Sequence, residues 1–346
     1  MVLHAGRAGQ LTGRLGETIS HALAGRKVEY FTGSPPLENR RILFAFSLPE
    51  NAMNISLYSL LAWLREHPGC LRGSVGSVVI DGAGDLYTKA AGRELVLEAS
   101  RAGCTFPGRP LVEATGSLAN FTVQAKNADC SLEEAYRLAV TDLADRVQAF
   151  APPCHARPKL LVLHASSRRT SNTLALWSRC RERLESACEI TEIGLRNGTL
   201  EDCAGCPYTT CLHYGEQDSC FYGGVMVQEV YPAVREADAV ILLCPNYNDA
   251  LSANLTAAVN RLTALYRTTS FMNKAVFAIV VSGYSGGDLV ASQVVSGLCM
   301  NKGFWLPGGF CLLETANDAG AAMRLPGIEG RLEGFSETIL NALTRA

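Results

Sequence analysis

From residue 159 onward, short apolar runs and helical stripes take turns along the chain. "KLLVLHA" (159–165), "CEITEIGL" (188–195), "DAVILLC" (238–244), "AVFAIVV" (275–281) and "FCLLET" (310–315) are brief and rich in branched residues. Strands buried on both faces of a parallel sheet have this character. "LALWSRCRERLESA" (174–187) sets Leu174, Trp177 and Leu184 on one helical stripe. "GVMVQEVYPAVREA" (224–237) also reads as helix, with a kink or break expected at Pro232. "ALSANLTAAVNRLTALYR" (250–267), a segment after 288 and the tail "GRLEGFSETILNALTRA" (330–346) complete the helices. Strict βα alternation predicts an open, doubly wound five-stranded parallel sheet over 152–346. Ligands in such a fold bind beyond the carboxyl ends of the strands, at a topological switch point.

The first half shows a similar pattern. "RILFAFSLPENAMNISLYSLLAWLRE" (41–66) overlays "KLLVLHASSRRTSNTLALWSRCRERL" (159–184) at an offset of 118, which sets Arg41 on Lys159 and Asn54 on Asn172. "SVVIDGAGDLYTK" (77–89) reads as strand plus glycine loop. "RPLVEATGSLANF" (109–121) resembles the fourth-strand segment and its turn. "SLEEAYRLAVTDLADRVQAF" (131–150) is a helix with Ser131 and Glu134 as a capping box. Residues 37–151 are thus expected to form a smaller, degenerate α/β unit. Residues 1–36 are expected to be an extension carrying one amphipathic helix. Asp81, Asp85, Tyr87 and Lys89 sit in a polar strand-end loop, as substrate contacts or as a solvated loop.

Charge narrows the partners. Lys and Arg number 31 against 33 Asp and Glu, so no basic footprint for nucleic acid is present. The sequence shows no apolar run of membrane-spanning length and no secretory leader pattern. Thirteen cysteines, an odd count, suggest reduced thiols and a cytoplasmic location.

Three loops follow strand carboxyl ends: 166–173, 245–249 and 282–288. In the first, Ser166, Ser171 and Thr173 offer hydroxyls, Asn172 an amide and Arg168 a guanidinium, at the start of a helix whose free N–H groups favour an anion. A plain helix cap is the alternative. Neither GxGxxG nor GxxxxGK[ST] occurs, which disfavours dinucleotide and Walker cradles. In the second, Asn246 and Asn248 are hydrogen-bonding groups or turn formers, and Tyr247 a ring contact or a turn aromatic. In the third, Gly283, Gly286 and Gly287 let main chain approach a flat ligand, with Ser282 and Tyr284 beside them.

Together these loops resemble the flavodoxin-like NADPH-dependent FMN reductases and iron-sulfur flavoproteins, over about 158–320. The family's Ser-x-Arg-x-x-Gly-Asn-Thr loop is matched by Ser166, Arg168, Asn172 and Thr173, with Ser171 at the glycine. Its Pro-x-Tyr turn and Asp-Arg helix end are met by Pro245, Tyr247 and Arg261, with departures at Thr256 and Asn260. The resemblance implies FMN, with phosphate on 166–173 and the ring between 245–248 and Ser282–Gly287. It implies NAD(P)H as co-substrate and a small-molecule or protein electron acceptor. It also implies a flavin beside a subunit interface, here of a homodimer or an internal pseudo-dimer. An electron carrier passing single electrons between proteins is the alternative function.

"CAGCPYTTCLHYGEQDSC" (203–220) holds Cys203, Cys206, Cys211 and Cys220. Four thiolates with a close pair suit a [4Fe–4S] cluster or zinc; free thiols are the third reading. In iron-sulfur flavoproteins a compact four-cysteine motif lies here, although its usual spacing is tighter than this one.

Overall fold

The computed structural model describes residues 2–4, 11, 13–31, 33, 37–166 and 170–344. The chain divides into two units, Met1–Ala151 and Pro152–Ala346.

The N-terminal unit runs β1 (Val2–His4), α1 (Gly13–Ala22), β2 (Glu29–Phe31), β3 (Arg41–Leu48), α2 (Ile55–Glu66), β4 (Val75–Gly82), α3 (Thr88–Arg101), β5 (Leu111–Ala114), α4 (Thr122–Ala128) and α5 (Leu132–Ala149). The five strands are parallel, in the order β2-β1-β3-β4-β5. Right-handed crossovers on such an order place α1 and α5 on one face and α2 and α3 on the other. Leu3, Leu15, Ile19, Leu43, Val79, Tyr136 and Val140 share one core beneath α1 and α5.

The C-terminal unit runs β6 (Lys159–His164), α6 (Asn172–Leu184), β7 (Glu189–Gly194), α7 (Tyr208–Gly215), α8 (Tyr231–Glu236), β8 (Ala239–Pro245), α9 (Ala253–Leu265), β9 (Ala275–Ser282), α10 (Gly287–Val294), β10 (Cys311–Thr315) and α11 (Ile328–Leu343). The strand order, β10-β9-β8-β6-β7, is the same one read from the other edge. All pairs are parallel. The five expected strands are all present. β9 is buried at every position, as its unbroken apolar run requires. Pro232 is accommodated rather than disruptive. A π-helical turn, Met226–Val230, runs without a break into α8, and Pro232 follows directly after this widened turn.

Three expectations for the first half need correction. Segment 1–36 is not an appendage: β1, α1 and β2 belong to the sheet and its core. The offset of 118 pairs the wrong elements, because β3 lies third in its unit's topology and matches β8, whereas β6 matches β1. Any strand, polar loop and Asn-led helix gives that overlay. Residues 109–121 carry the fifth strand, not the fourth.

The correct register is an offset of 200 through the last two strands. Val78 pairs with Leu111, and Ala278 with Cys311. Isolated bridges join Val75 to Thr105 and Ala275 to Trp305. Gly76 N donates to Thr105 O at 2.8 Å, and Val276 N to Trp305 O at 3.1 Å. Gly103 and Gly303, which end the preceding helical segments, are both left-handed (φ 103° and 87°).

Candidate functional site

The carboxyl ends of β6, β8, β9 and β10 open into a cleft of about 430 Å³. Ser166 follows β6. Thr170, Ser171, Asn172 and Thr173 form the entrance to α6. Ser171 is the N-cap of that helix, and its Oγ accepts from Leu174 N at 3.3 Å and shares a 2.9 Å bond with Thr173 Oγ1. The cap reading of this loop is therefore correct for Ser171. The other first-turn N–H groups and the positive end of the helix dipole give this helix start the chemistry that suits an anion.

Asn172 is committed to the protein itself. Its Nδ2 donates to Ala316 O (3.2 Å) and Asp318 O (2.9 Å), and its Oδ1 accepts from Ala322 N (3.3 Å). Its amide thus clamps the loop after β10 to the start of α6. Arg168, expected on the phosphate, lies outside the described residues.

The opposite wall is the turn after β8. Asn248 and Asp249 are both left-handed (φ 54° and 57°), and Tyr247 and Ala250 exchange backbone hydrogen bonds across them. Asn and Asp tolerate that conformation, so Asn248 forms the turn and does not line the cleft. Asn246 organises the wall. Its Nδ2 reaches Asp249 Oδ1 (3.2 Å), Ser282 Oγ (3.2 Å) and Ser285 O (2.8 Å). Its Oδ1 is buried with no partner.

Of the residues expected here, the cleft brings together Ser166, Ser171, Asn172, Thr173, Pro245, Asn246, Tyr247 and Gly283. Ser282 is buried beneath its floor and Tyr284 stands exposed away from it. Gly286 and Gly287 shape the loop from outside the lining. At Gly286 (φ 80°) a Cβ would come 2.0 Å from Asp249 Oδ1, so the close approach of the two loops requires glycine. The sequence reading missed the fourth wall, Ala316, Asn317 and Ala319. Its signal was present: a polar "AND" at the carboxyl end of the fifth strand.

The cleft fits FMN chemically. A hydroxyl-rich helix start suits a phosphate, and an orphaned buried acceptor on the facing wall suits a ring N–H. Residues 158–318 match the family model of the NADPH-dependent FMN reductases. That match covers just under half of the chain. The chain is also similar to an iron-sulfur flavoprotein of Archaeoglobus fulgidus, 24% identical over 180 residues, covering 50% of this chain and 88% of that one. Among solved structures it is similar to an NAD(P)H:quinone oxidoreductase from Methanothermobacter marburgensis, with 16% identity and a TM-score of 0.40, covering 55% of this chain and all of that one. A rubredoxin oxygen:oxidoreductase from Desulfovibrio gigas has 16% identity and a TM-score of 0.35, covering 61% and 41%.

The C-terminal unit holds a second cavity, of about 170 Å³, among the residues lining which are the four cysteines of 203–220. Cys203, Cys206, Cys211 and Cys220 line it with Tyr222 and Arg261. Its walls are the cysteine loop, α7 and the end of α9. Arg261, carried over by resemblance with the Pro-x-Tyr turn, lies here and not in the cleft. Among the described residues, no three His, Cys, Asp or Glu side chains converge tightly enough to grip one metal ion. A zinc site needs sulfurs about 3.8 Å apart, from Zn–S bonds of about 2.3 Å, so this arrangement does not present one. Desolvation, the hydrogen bond to Cys206 and the neighbouring Cys206, Cys203 and Cys220 side chains raise the Tyr222 pKa.

At the matching strand ends of the N-terminal unit, the polar side chains serve the fold. Asp81 pairs with Arg14 at 2.8 Å, and that guanidinium also donates to Gly82 O, Thr115 O and Gly116 O. Asp85 accepts from Ser117 N at 2.8 Å, which lowers its pKa. Lys89 pairs with Glu113.

Proposed function

We propose that the chain binds FMN in the cleft beyond β6, β8, β9 and β10, and passes reducing equivalents from NAD(P)H to a small-molecule or protein acceptor. The observation that carries this reading is the cleft itself. It is open, it lies at the switch point of the sheet, and it has a hydroxyl-bearing helix start on one side and the Asn246 turn on the other. FMN, when bound, supplies hydride acceptance from a nicotinamide and donation to the acceptor. The protein's part is to orient and to exclude water. Ser166, Thr170, Ser171, Arg168 and the N–H groups of α6 would hold the phosphate. Pro245, Asn246, Tyr247 and the backbone at Gly283 would border the ring. Asn172 would hold the 316–322 loop against it.

The test is reconstitution. Purified protein incubated with FMN and passed through a desalting column is expected to retain flavin absorbance and to oxidise NADPH or NADH. Protein that neither retains FMN nor oxidises a nicotinamide sinks the reading. Arg168→Ala is expected to weaken FMN binding by about 1.5–3 kcal/mol, the loss of one charge-assisted hydrogen bond.

A second reading is favoured by the second cavity: an iron-sulfur cluster on Cys203, Cys206, Cys211 and Cys220. The thiols surround one space, and a cluster, wider than a single ion, is held by four thiolates set further apart than those of zinc. Bound there, it would supply one-electron transfer. Anaerobic iron and acid-labile sulfide analysis of the purified chain tests it.

A further inference from the structure

Arg261 is 2% exposed, on the last turns of α9. Its Nη2 donates to Gly223 O at 2.7 Å and its Nη1 to Glu201 O at 3.3 Å. Its Nε is buried without a partner. Its guanidinium lies 5.9 Å from the Tyr222 ring centroid. Tyr231 Oη, donating to Arg261 O at 2.7 Å, fixes the backbone. Among the described residues, no carboxylate comes within ion-pair distance of it.

A guanidinium cannot shed its proton at any pH a protein meets. Burying it against two carbonyls and a ring face leaves its charge uncompensated, and an unpaired buried charge is among the most costly features a fold can carry. The groups that could turn negative and that share its cavity are the four cysteine thiols, Tyr214 and Tyr222. Arg267, the other cation on that cavity, lies over the Tyr208 ring at 4.6 Å and is solvent-exposed.

We infer that Arg261 is the counter-cation of the cysteine cavity: it holds a four-thiolate anionic group in place and favours that group's more reduced, more negative state. This rests on the iron-sulfur reading of the cavity. It assigns Arg261 a positioning and electrostatic task, distinct from cysteine ligation. One-electron reduction of a thiolate-held cluster adds one negative charge to the cavity, and no proton need follow if a fixed cation already faces it. The electron in the test below comes from dithionite through redox mediators.

The experiment compares the full chain with Arg261→Gln, Arg261→Lys and Arg267→Gln. Each is reconstituted anaerobically with ferrous iron and sulfide, then titrated with dithionite while absorbance and electron paramagnetic resonance are followed. FMN retention and far-ultraviolet circular dichroism serve as controls for folding. Arg261→Gln keeps donors for Glu201 O and Gly223 O but removes the charge. It is expected to shift the oxidised-to-reduced ratio at the wild-type midpoint at least tenfold toward oxidised, about 59 mV for one electron, or to lose iron during desalting. Arg261→Lys and Arg267→Gln are expected to stay within twofold of wild type.

A wild-type chain that loads iron and sulfide, with Arg261→Gln loading equally and titrating at the same midpoint, overturns the inference and leaves the cluster reading standing. A wild-type chain that takes up neither iron nor sulfide overturns both. If Arg261→Gln and Arg261→Lys both fail to load while FMN is retained, the hydrogen-bonding shape of the guanidinium is what matters, and the charge assignment falls. If Arg261→Gln does not fold, the comparison of Arg261→Lys with Arg267→Gln decides: a Lys variant that loses the cluster overturns the assignment, and one that keeps the wild-type midpoint supports it.

Discussion

Arg14 grips Asp81 through two hydrogen bonds, Nε to Oδ2 at 3.0 Å and Nη2 to Oδ1 at 2.8 Å. Arg14 belongs to α1, the helix that follows the first strand of its unit, as α6 follows β6 in the C-terminal unit. Arg14 reaches Gly116 O, and Asn172 reaches Ala316 O, each at 3.2 Å. The two side chains make the same tie from the same helix to the fifth-strand loop, but the N-terminal unit uses an ion pair. Arg14→Met leaves a mostly buried carboxylate unpaired and is expected to cost about 2–3 kcal/mol. Urea denaturation should show the loss in the transition of the N-terminal unit. FMN content should remain one per chain, with and without the substitution. A second equivalent of FMN retained by the wild-type chain would contradict this picture of the first unit.

Asn172→Ala removes three hydrogen bonds at once and frees the loop after β10. A stability loss of about 1–3 kcal/mol is expected, together with weaker FMN retention. Ser171→Ala should cost about 1 kcal/mol through the helix cap alone. Fluorescence titration of FMN on both variants separates the roles: Asn172→Ala should lose more affinity than Ser171→Ala if the β10 loop is a wall of the site.

Gly286→Ala places a Cβ against Asp249 at a left-handed residue. The backbone term alone is about 1–2 kcal/mol, and the Asn246–Asp249–Ser282 contacts must shift as well. Lower thermal stability and weaker FMN binding are expected together. Gly330→Ala, in α11 with nothing within 4 Å of the new methyl, is the control and should stabilise by about 0.5 kcal/mol.

Burial pushes the thiols of Cys70 and Cys180 up to about 11 each, from an unfolded value of 9.0. In the folded chain both stay neutral while the unfolded chain ionises. Their contribution to stability is therefore full below pH 9 and is lost as pH rises from 9 through 11. Denaturation midpoints measured at pH 8 and pH 10.5 should differ in that direction, and Cys70→Ala with Cys180→Ala should flatten the difference. At pH 8, iodoacetamide should modify exposed Cys154 well before either buried thiol.

Much of the C-terminal unit was legible because β6, β8 and β9 are unbroken apolar runs. β8 and β9 could not be read otherwise, and the hydroxyls of 166–173 lie where a strand must give way to a helix. The capping box was only half legible. Ser131 Oγ does accept from Glu134 N at 3.1 Å, but the Glu134 carboxylate turns to Arg137. β1 and β2 were not legible, since three residues carry no measurable period. Arg14 gave no signal for the same reason that Asn172 misled: each acts across more than a hundred residues of sequence, on carbonyls that pattern reading does not see. The cysteine spacing announced the four thiols. It could not announce Arg261, some forty residues later on another helix.

The shared register at an offset of 200 makes the end of each unit a transferable cassette. Residues 103–111 and 303–311 both leave a left-handed glycine, pass a Pro-Gly pair and enter the edge strand on equivalent backbone bonds. A graft between the two would keep the bonds that Thr105/Trp305 and Pro110/Phe310 accept through their carbonyls, while Phe310 would add a main-chain donor that Pro110 lacks. Any change in melting would report that donor together with the fit of Trp305 and Phe310 in place of Thr105 and Pro110.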